Sequence, residues 1–327
     1  MKIRHLLLCS LIFPLAAGAQ ESSSQYNVLK LPASSHAAAL GGDNISAIED
    51  APAVGWSNPA LLSGVSDNSI GLDLMTYNSG SLFMGAQYVK AFGSRHTASI
   101  MAQMLSYGSM DETDENGTVL GTFSPKDIVF GLGYSYLLSS HWAGGATLKT
   151  INQSYGGYSS MALSVDLGLN YYDEGKDLSV SATLRNVGMQ VKSFYTNQKA
   201  HLPFVAQVGV TKGIEHLPIR LNLTLTDLTR WKSSYYYLPE GKDEIGFGRK
   251  FLNHVIVGID VLPTDYLYFS AGYNLRRAYE LKSAGSSKMA GLCFGGGLHL
   301  KKFKFGASYA KYHVGNASLQ FNLAYSL

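Results

Sequence analysis

The feature that most constrains the fold is a two-residue alternation of apolar and small polar side chains. In the stretch YSSMALSVDLGLNYY, residues 158–172, one face carries only Ser, Ala, Asp, Gly and Asn in its centre. The opposite face carries Met161, Leu163, Val165, Leu167, Leu169 and Tyr171. A period of two is typical of a β-strand. A soluble sheet usually places Lys, Glu and Arg on its polar face, so small residues there indicate a crowded barrel interior.

Fourteen alternating runs follow residue 66, each about long enough for a tilted strand to cross a bilayer. They span 67–77, 80–91, 95–107, 126–138, 141–152, 158–172, 177–187, 202–214, 217–228, 252–262, 265–276, 287–300, 302–312 and 316–327. The last run alternates up to Leu327, which is also a pattern that barrel-insertion machinery reads.

The connections between these runs sort by length. Those after even-numbered runs have only a few residues, whereas the long ones, 108–125, 188–201, 229–251 and 277–286, all follow odd-numbered runs. Outer-membrane barrels have short periplasmic turns and longer outside loops. We therefore predict an all-β fold, a fourteen-stranded antiparallel transmembrane barrel over 67–327. Both termini are expected in the periplasm, with the long loops at the cell surface.

The first nineteen residues are predicted to be a signal peptide, 1–19. Lys2 and Arg4 are basic, Leu6 to Leu15 form an apolar run, and Ala17-Gly18-Ala19 form a cleavage site. We therefore expect an exported protein in the bacterial outer membrane, in contact with its lipid.

Composition agrees with a membrane barrel. The chain has 21 Tyr and 14 Phe but only 15% charged residues, against roughly 25% in soluble domains. Its near-neutral balance of 26 basic and 23 acidic residues argues against a nucleic-acid partner.

Residues 20–66 do not resemble membrane strands, because Pro and Gly interrupt every alternating run. The stretch from Ser35 to Leu40 predicts a short helix with a glycine cap, and Asn58-Pro59 predicts the start of a second. We predict that this segment folds into the lumen as a hatch, or plug; the alternative is a floppy tail. The candidate plug residues are His36, Leu40, Gly41, Gly42, Asn58, Pro59 and Ala60.

Sequence motifs for catalysis are lacking. The histidines are dispersed, without an H-x-H or H-E-x-x-H pair, and no G-x-S-x-G motif occurs. The acidic stretch 111–117 resembles part of a calcium loop, but Phe123 stands where a bidentate Glu is required. We predict no enzyme activity, no catalytic residue, no metal and no cofactor. A Ser/His pair that meets inside the barrel, as in outer-membrane phospholipases, stays open as an alternative.

The loop 229–251 carries a cluster of aromatic residues among mixed charges. Trp231, Tyr235, Tyr236 and Tyr237 are candidates for docking a protein partner. The same residues could belong to a membrane-interface belt or pack back over the barrel mouth.

Several blocks of sequence resemble a known family. LPASSHAAALGGDNIS followed by NPALL resembles the hatch of FadL-like barrels, in particular the PorV/PorQ family of the type IX secretion system. Further similar blocks lie at 117–135, 148–172, 184–191 and 202–212. The resemblance implies a fourteen-stranded FadL-like barrel of a Bacteroidetes-type bacterium. It also implies a role in the surface attachment complex, with a PorZ-like surface protein as partner and with PorU and PorV nearby.

Two main functions follow as hypotheses. The first is a non-enzymatic scaffold that anchors the attachment complex for cargo with a C-terminal sorting domain. The alternative is a FadL-like transporter of small hydrophobic molecules, which should have a continuous apolar pocket that reaches a lateral gap.

Overall fold

The computed structural model describes residues 25–78, 80–195, 199–236, 244–285 and 289–327. The predicted signal peptide lies outside these residues and stays a prediction. Within the described residues the chain is mostly β-strand, and no helix there is long and apolar enough to cross a bilayer.

Fourteen strands form one closed sheet. They are β1 (Ser69–Thr76), β2 (Leu82–Phe92), β3 (His96–Ser106), β6 (Lys126–Leu137), β7 (Trp142–Tyr155), β8 (Tyr158–Asp173), β9 (Leu178–Lys192), β10 (Val205–Gly213), β11 (Ile219–Leu225), β12 (Val255–Thr264), β13 (Leu267–Asn274), β14 (Leu292–Leu300), β15 (Phe303–Ala310) and β16 (Ser318–Ser326). The remaining two, β4 (Met110–Thr113) and β5 (Val119–Phe123), form a separate hairpin.

The barrel closes between its first and last strands. Strand β1 pairs antiparallel with β2 on one side and with β16 on the other, in a register that sets Ser69 opposite Ser326. Strand β3 pairs with β6, so the β4–β5 hairpin projects beyond the barrel. The predicted fourteen-stranded antiparallel barrel is confirmed.

The alternation in the sequence separates the two faces of the wall. In β8, Leu167 is 48% exposed on the outside, whereas its neighbour Asp166 is buried inside. Strands β1 and β16 alternate in the same way. The outer surface is therefore an apolar band suited to lipid, and the inner surface is polar.

The long connections all lie at one end of the barrel, which also carries the short turn between β7 and β8. The turns after β2, β8 and β12 have only a few residues and lie at the end that also carries the start of β1 and the end of β16. The connections after β3, β9, β11 and β13 are longer and contain the β4–β5 hairpin and two helices.

The loop helices correct three predicted strand limits. Helix α3 (Phe247–Asn253) and helix α4 (Leu275–Ser283) occupy positions assigned above to strand starts and ends. Strand β12 thus begins at Val255, β13 ends at Asn274, and β14 begins at Leu292. Both helices lie beyond the last pairs that β12 and β13 form in the wall. In the opposite direction, β9 continues beyond its predicted end to Lys192.

The N-terminal segment contains only short helices. They are a 3-10 helix Asn27–Lys30, α1 (Ser35–Ala39), α2 (Val54–Ser57) and a 3-10 helix Pro59–Gly64. The Ser34 side chain accepts hydrogen bonds from the backbone N–H groups of His36 and Ala37 at the start of α1. The Asn58 side chain accepts a hydrogen bond from the backbone N–H of Ala60 at the start of the second 3-10 helix. Pro59 is the first residue of that helix. The two short helices predicted from Ser35 and from Asn58-Pro59 are confirmed.

Candidate functional site

Residues 25–66, called the plug from here on, fill the lumen. Helix α1 packs against β13 to β16, and the 3-10 helix Pro59–Gly64 packs against β3 and β6 to β8 on the opposite wall. The large side chains of Tyr26, Leu40, Ile45 and Leu62 are fully buried between plug and wall. A barrel of fourteen strands is wide enough to leave a hole, and the plug occupies that hole.

Wall glycines make room for the predicted plug residues Asn58, Pro59 and Ala60. A Cβ atom added to Gly145 would lie 2.5 Å from the carbonyl carbon of Pro59 and 2.6 Å from the backbone nitrogen of Ala60. At Gly168 the same addition would overlap the Asn58 side chain. The plug backbone thus lies directly on the wall, and these glycines are required for the close approach.

The other predicted plug residues contact the opposite wall. A Cβ on Gly272 would lie 2.5 Å from the backbone nitrogen of Gly41 and would overlap Leu40. Gly42 lies against the Arg277 guanidinium of α4, where a Cβ would be 2.5 Å from one of its nitrogens. Both Gly41 and Gly42 have positive φ, 108° and 104°, which lets the chain turn after α1.

His36 forms an ion-pair triad between plug and wall. Its Nε2 lies 2.9 Å from Asp260 Oδ1 of β12, and its Nδ1 lies 3.3 Å from Glu49 Oε2 of the plug. Burial alone would lower the pKa of His36, but the Asp260 and Glu49 carboxylates outweigh burial and raise its pKa to about 10. His36 is therefore a cation that joins two segments of the plug to the wall.

Hydrogen bonds extend this triad around the lumen. Asp260 accepts from Ser270 Oγ at 2.5 Å and from Asn222 Nδ2 at 2.9 Å. Asn222 in turn accepts from Asn44 Nδ2 of the plug at 3.0 Å. The small polar side chains that alternate along the strands therefore serve as partners for the plug.

One part of the lumen is apolar. Inward-facing side chains of β1 to β8 pack against the first residues of the plug and form a buried cluster. Its members include Tyr26, Val28 and Leu29 of the plug and Met75, Phe83, Met101, Leu105, Val129 and Ile151 of the wall. The plug thus covers the apolar wall surface that a hydrophobic ligand would need.

A cavity of about 700 Å³, called the outer vestibule from here on, lies between the plug and the long loops. Arg185 of β9 and Asp43 of the plug form an ion pair there at 3.2 Å. Asp227 lies between Arg276 at 2.7 Å and Arg230 at 3.3 Å. The vestibule is therefore polar and charged rather than apolar.

The predicted docking aromatics lie in different environments. Trp231 is 37% exposed and stacks on Phe247 of α3 with ring centroids 5.9 Å apart. Tyr235 lines the outer vestibule. Tyr236 is only 6% exposed, and its ring lies against His254. Tyr237 lies outside the described residues. The structure therefore brings together Trp231 and Phe247, not the three tyrosines, as an exposed aromatic pair.

Three features of the site are not evident from sequence patterns. Phe247 is 75% exposed and lies in the predicted loop 229–251, but it is not among the predicted docking residues. The vestibule residues Arg185 and Arg277 come from β9 and α4 and meet only when the barrel closes. The one local signal was a pair of adjacent arginines, 276–277, where a predicted strand meets a predicted loop.

The acidic stretch 111–117 forms the tip of the β4–β5 hairpin. Asp114 Oδ1 accepts hydrogen bonds from the backbone N–H groups of Asn116 and Thr118 at 2.9 and 2.8 Å. These bonds stabilise a turn. In the described residues no group of three or more His, Cys, Asp or Glu side chains is placed to hold a metal ion.

Comparison with solved structures identifies similar folds. The crystal structure of the Pseudomonas putida toluene transporter TodX superposes with a TM-score of 0.55 at 14% identity, over 90% of this chain and 97% of that one. The monoaromatic hydrocarbon channel CymD superposes with a TM-score of 0.53 at 12% identity, over 91% and 98%. A FadL homologue of Pseudomonas aeruginosa matches at a TM-score of 0.48 and 10% identity, over 91% and 98%. No family model and no curated protein sequence matches the chain.

The first two similarities establish the fold alone, because the identities are low. The chain has a closed β-barrel fold similar to that of TodX, and the predicted all-β barrel of fourteen antiparallel strands is confirmed. The structural neighbours are named as channels and transporters rather than enzymes.

Proposed function

We propose that this chain is an outer-membrane barrel, closed by its own plug, that anchors a protein complex at the cell surface. Its short-turn end and both termini face the periplasm, and its long loops face outward. The partner is a PorZ-like surface protein of a type IX secretion system, with PorU and PorV beside it.

The observation that carries the proposal is a plug that spans the inner part of the lumen from wall to wall. The plug contacts opposite walls through backbone-to-glycine contacts at Gly145 and Gly272 and is joined to the wall by the His36 triad. Such a plug suits a protein that holds a partner more than one that passes solutes. The type IX assignment itself is supported by the sequence resemblance to the PorV/PorQ family.

The loop end offers a surface for a protein partner. Trp231 and Phe247 form an exposed aromatic pair, and Phe251 on the same short helix is also exposed. Exposed aromatic residues are enriched among those that dominate protein–protein interfaces. We therefore place the partner contact at α3.

Affinity purification from the native host tests the proposal. The tagged barrel, extracted in mild detergent, should carry the PorZ-like protein with it, and Phe247→Ser should reduce that recovery about tenfold. The matched control is Tyr266→Ser, an exposed aromatic at the short-turn end, which should leave recovery unchanged. A barrel that purifies alone from cells that produce the surface protein contradicts the proposal.

A second candidate function is transport of small hydrophobic molecules. The TodX-like fold and the buried apolar cluster of β1 to β8 favour it, because displacement of the first plug residues would expose apolar wall. Uptake of labelled fatty acid or toluene should then be lost in a deletion strain and restored by the intact chain. Equal uptake in both strains argues against transport, and the scaffold function then remains as the proposal.

A further inference from the structure

The outer vestibule concentrates positive charge. Six basic side chains line it: Lys30, Arg185, Arg230, Lys232, Arg276 and Arg277. Among the described residues three acidic side chains line it, Asp43, Asp227 and Glu280, three fewer than the basic ones. The whole chain has a formal net charge of only +3, so this excess is a local property of the cavity.

Internal ion pairs do not neutralise every guanidinium. Arg276 is paired with Asp227 and Glu280, at 2.7 and 2.9 Å. Arg277 instead donates to Cys293 Sγ at 3.3 Å and lies over the Tyr312 ring at 4.2 Å. Among the described residues it makes no ion pair with a carboxylate.

A second arginine in the cavity wall is only partly paired. Arg185 Nε is buried and has no hydrogen-bond acceptor among the described residues, although Arg185 Nη1 reaches Asp43 at 3.2 Å. A buried donor without an acceptor is destabilising, so native structures usually supply an acceptor.

The N-terminus of helix α4 adds positive charge to the vestibule. Arg276 and Arg277 lie in its first turn, and no acidic residue does. The N-terminus of a helix carries partial positive charge, which favours anions and disfavours cations there. Arg276 and Arg277 therefore add their charges to the partial positive charge of the helix N-terminus, and together these charges attract an anion.

We propose that the outer vestibule binds a small soluble oxyanion with more than one negative charge, a polycarboxylate or an organic phosphate, through Arg185 and Arg277. Guanidinium groups match carboxylate and phosphate oxygens with two parallel hydrogen bonds. The cavity volume of about 700 Å³ lies in the usual range for small-molecule sites.

Solvent access points to a soluble ligand rather than a lipid. The Asp43 side chain is 38% exposed and that of Arg276 is 25% exposed, so water reaches the cavity. The lining residues belong to the plug, the inner wall and the loops, not to the apolar outer band. The site is independent of the scaffold proposed above, since it needs no protein partner.

Calorimetric titration of the detergent-solubilised full barrel tests the proposal. Citrate and, in a second arm, inorganic phosphate are titrated at constant ionic strength, and at least one should bind saturably with one site per barrel. Arg277→Gln should weaken that binding about tenfold or more, whereas Arg277→Lys should retain part of it. If Arg277→Gln fails to fold, Arg185→Gln replaces it.

The control is Arg220→Gln at the short-turn end, where Arg220 pairs with Asp177 at 2.8 Å on an exposed surface. This variant should bind as the native chain does. Absence of saturable binding of either anion overturns the proposal, as does equal weakening in Arg220→Gln. Binding of short-chain phosphatidic acid without binding of citrate or phosphate also overturns it, because the ligand would then be a lipid.

Discussion

At the scale of single residues, His36 shows how a barrel interior can hold a charge. The imidazolium lies between the carboxylates of Asp260 and Glu49, which balance it where water is scarce. A buried ion pair of this kind contributes little over apolar packing, but removal of one partner leaves an uncompensated charge. The main effect of the triad is therefore to fix the position of the plug in the lumen.

Substitution of His36 tests the triad. We expect His36→Gln to lower the free energy of unfolding by about 3–5 kcal/mol, because Asp260 and Glu49 lose their cation. Denaturant unfolding in detergent or lipid measures the change. The control is His313→Gln on an exposed loop, for which no loss is expected. Equal stability of both variants would contradict the ion pairing.

The pH dependence of stability provides an independent test of the same group. The pKa of His36 rises from about 6.5 in the unfolded chain to about 10 in the barrel. Its stabilisation is therefore fully present below about pH 6.5 and is lost as pH rises through about 10. Unfolding measured from neutral pH to pH 11 should show this loss, and His36→Gln should remove it.

Adjacent glycines in β7 provide a matched pair for the contact of plug and wall. A Cβ on Gly145 would meet the plug backbone at 2.5 Å, whereas a Cβ on Gly144 would meet the Leu138 side chain at an ordinary 3.5 Å. We expect Gly145→Ala to destabilise the barrel by about 1–3 kcal/mol and Gly144→Ala by less than about 0.5 kcal/mol. The thermal unfolding midpoint measures both, and an equal shift in the two variants would show that the plug does not rest on Gly145.

At the scale of elements, the 3-10 helix Pro59–Gly64 depends on its first cap. Asn58 Oδ1 accepts from Ala60 N–H at 3.0 Å, and its Nδ2 donates to the Ile45 carbonyl at 2.9 Å. We expect Asn58→Ala to cost about 2–3 kcal/mol, the sum of a cap and an unsatisfied buried acceptor. The measurement is the unfolding free energy, with Asn116→Ala in the exposed hairpin turn as control. A loss in the control as large as that in Asn58→Ala would refute a special role for the cap.

The elements also show what sequence can and cannot predict. Strands such as β8 were predictable because lipid outside and plug inside impose opposite demands on alternate residues, as at Leu167 and Asp166. The glycine cap after Leu40 and the cap at Asn58 were predictable because they act over two or three residues. Helices α3 and α4 were not predicted, because they lie in the long connections, where no pairing with a neighbouring wall strand fixes the conformation.

At the scale of the whole molecule, the outer vestibule forms because the sheet closes into a barrel. Arg185 belongs to β9 and Arg277 to α4, and only the circular order of strands places both over the plug. No local pattern could have joined them. The lumen is accordingly divided into an outer charged cavity and an inner region filled by the plug.

Removal of the plug tests this division. We expect the intact barrel to be closed to ions in planar bilayers, because residues 25–66 pack against both walls of the lumen. A barrel that lacks residues 25–66 should conduct continuously, since fourteen strands without a filling leave a water-filled hole. The control lacks residues 110–123 instead, the hairpin outside the barrel, and should stay closed.

Folding of each variant is checked by heat-dependent migration on gels before conductance is measured, so that an unfolded chain is not taken for a closed one. A folded barrel without its plug that stays closed would mean that inner side chains or loops seal the lumen. Porin-like conductance of the intact chain would mean that the plug moves out of the lumen when the barrel is inserted in a membrane. Either result would remove the physical basis for a closed scaffold.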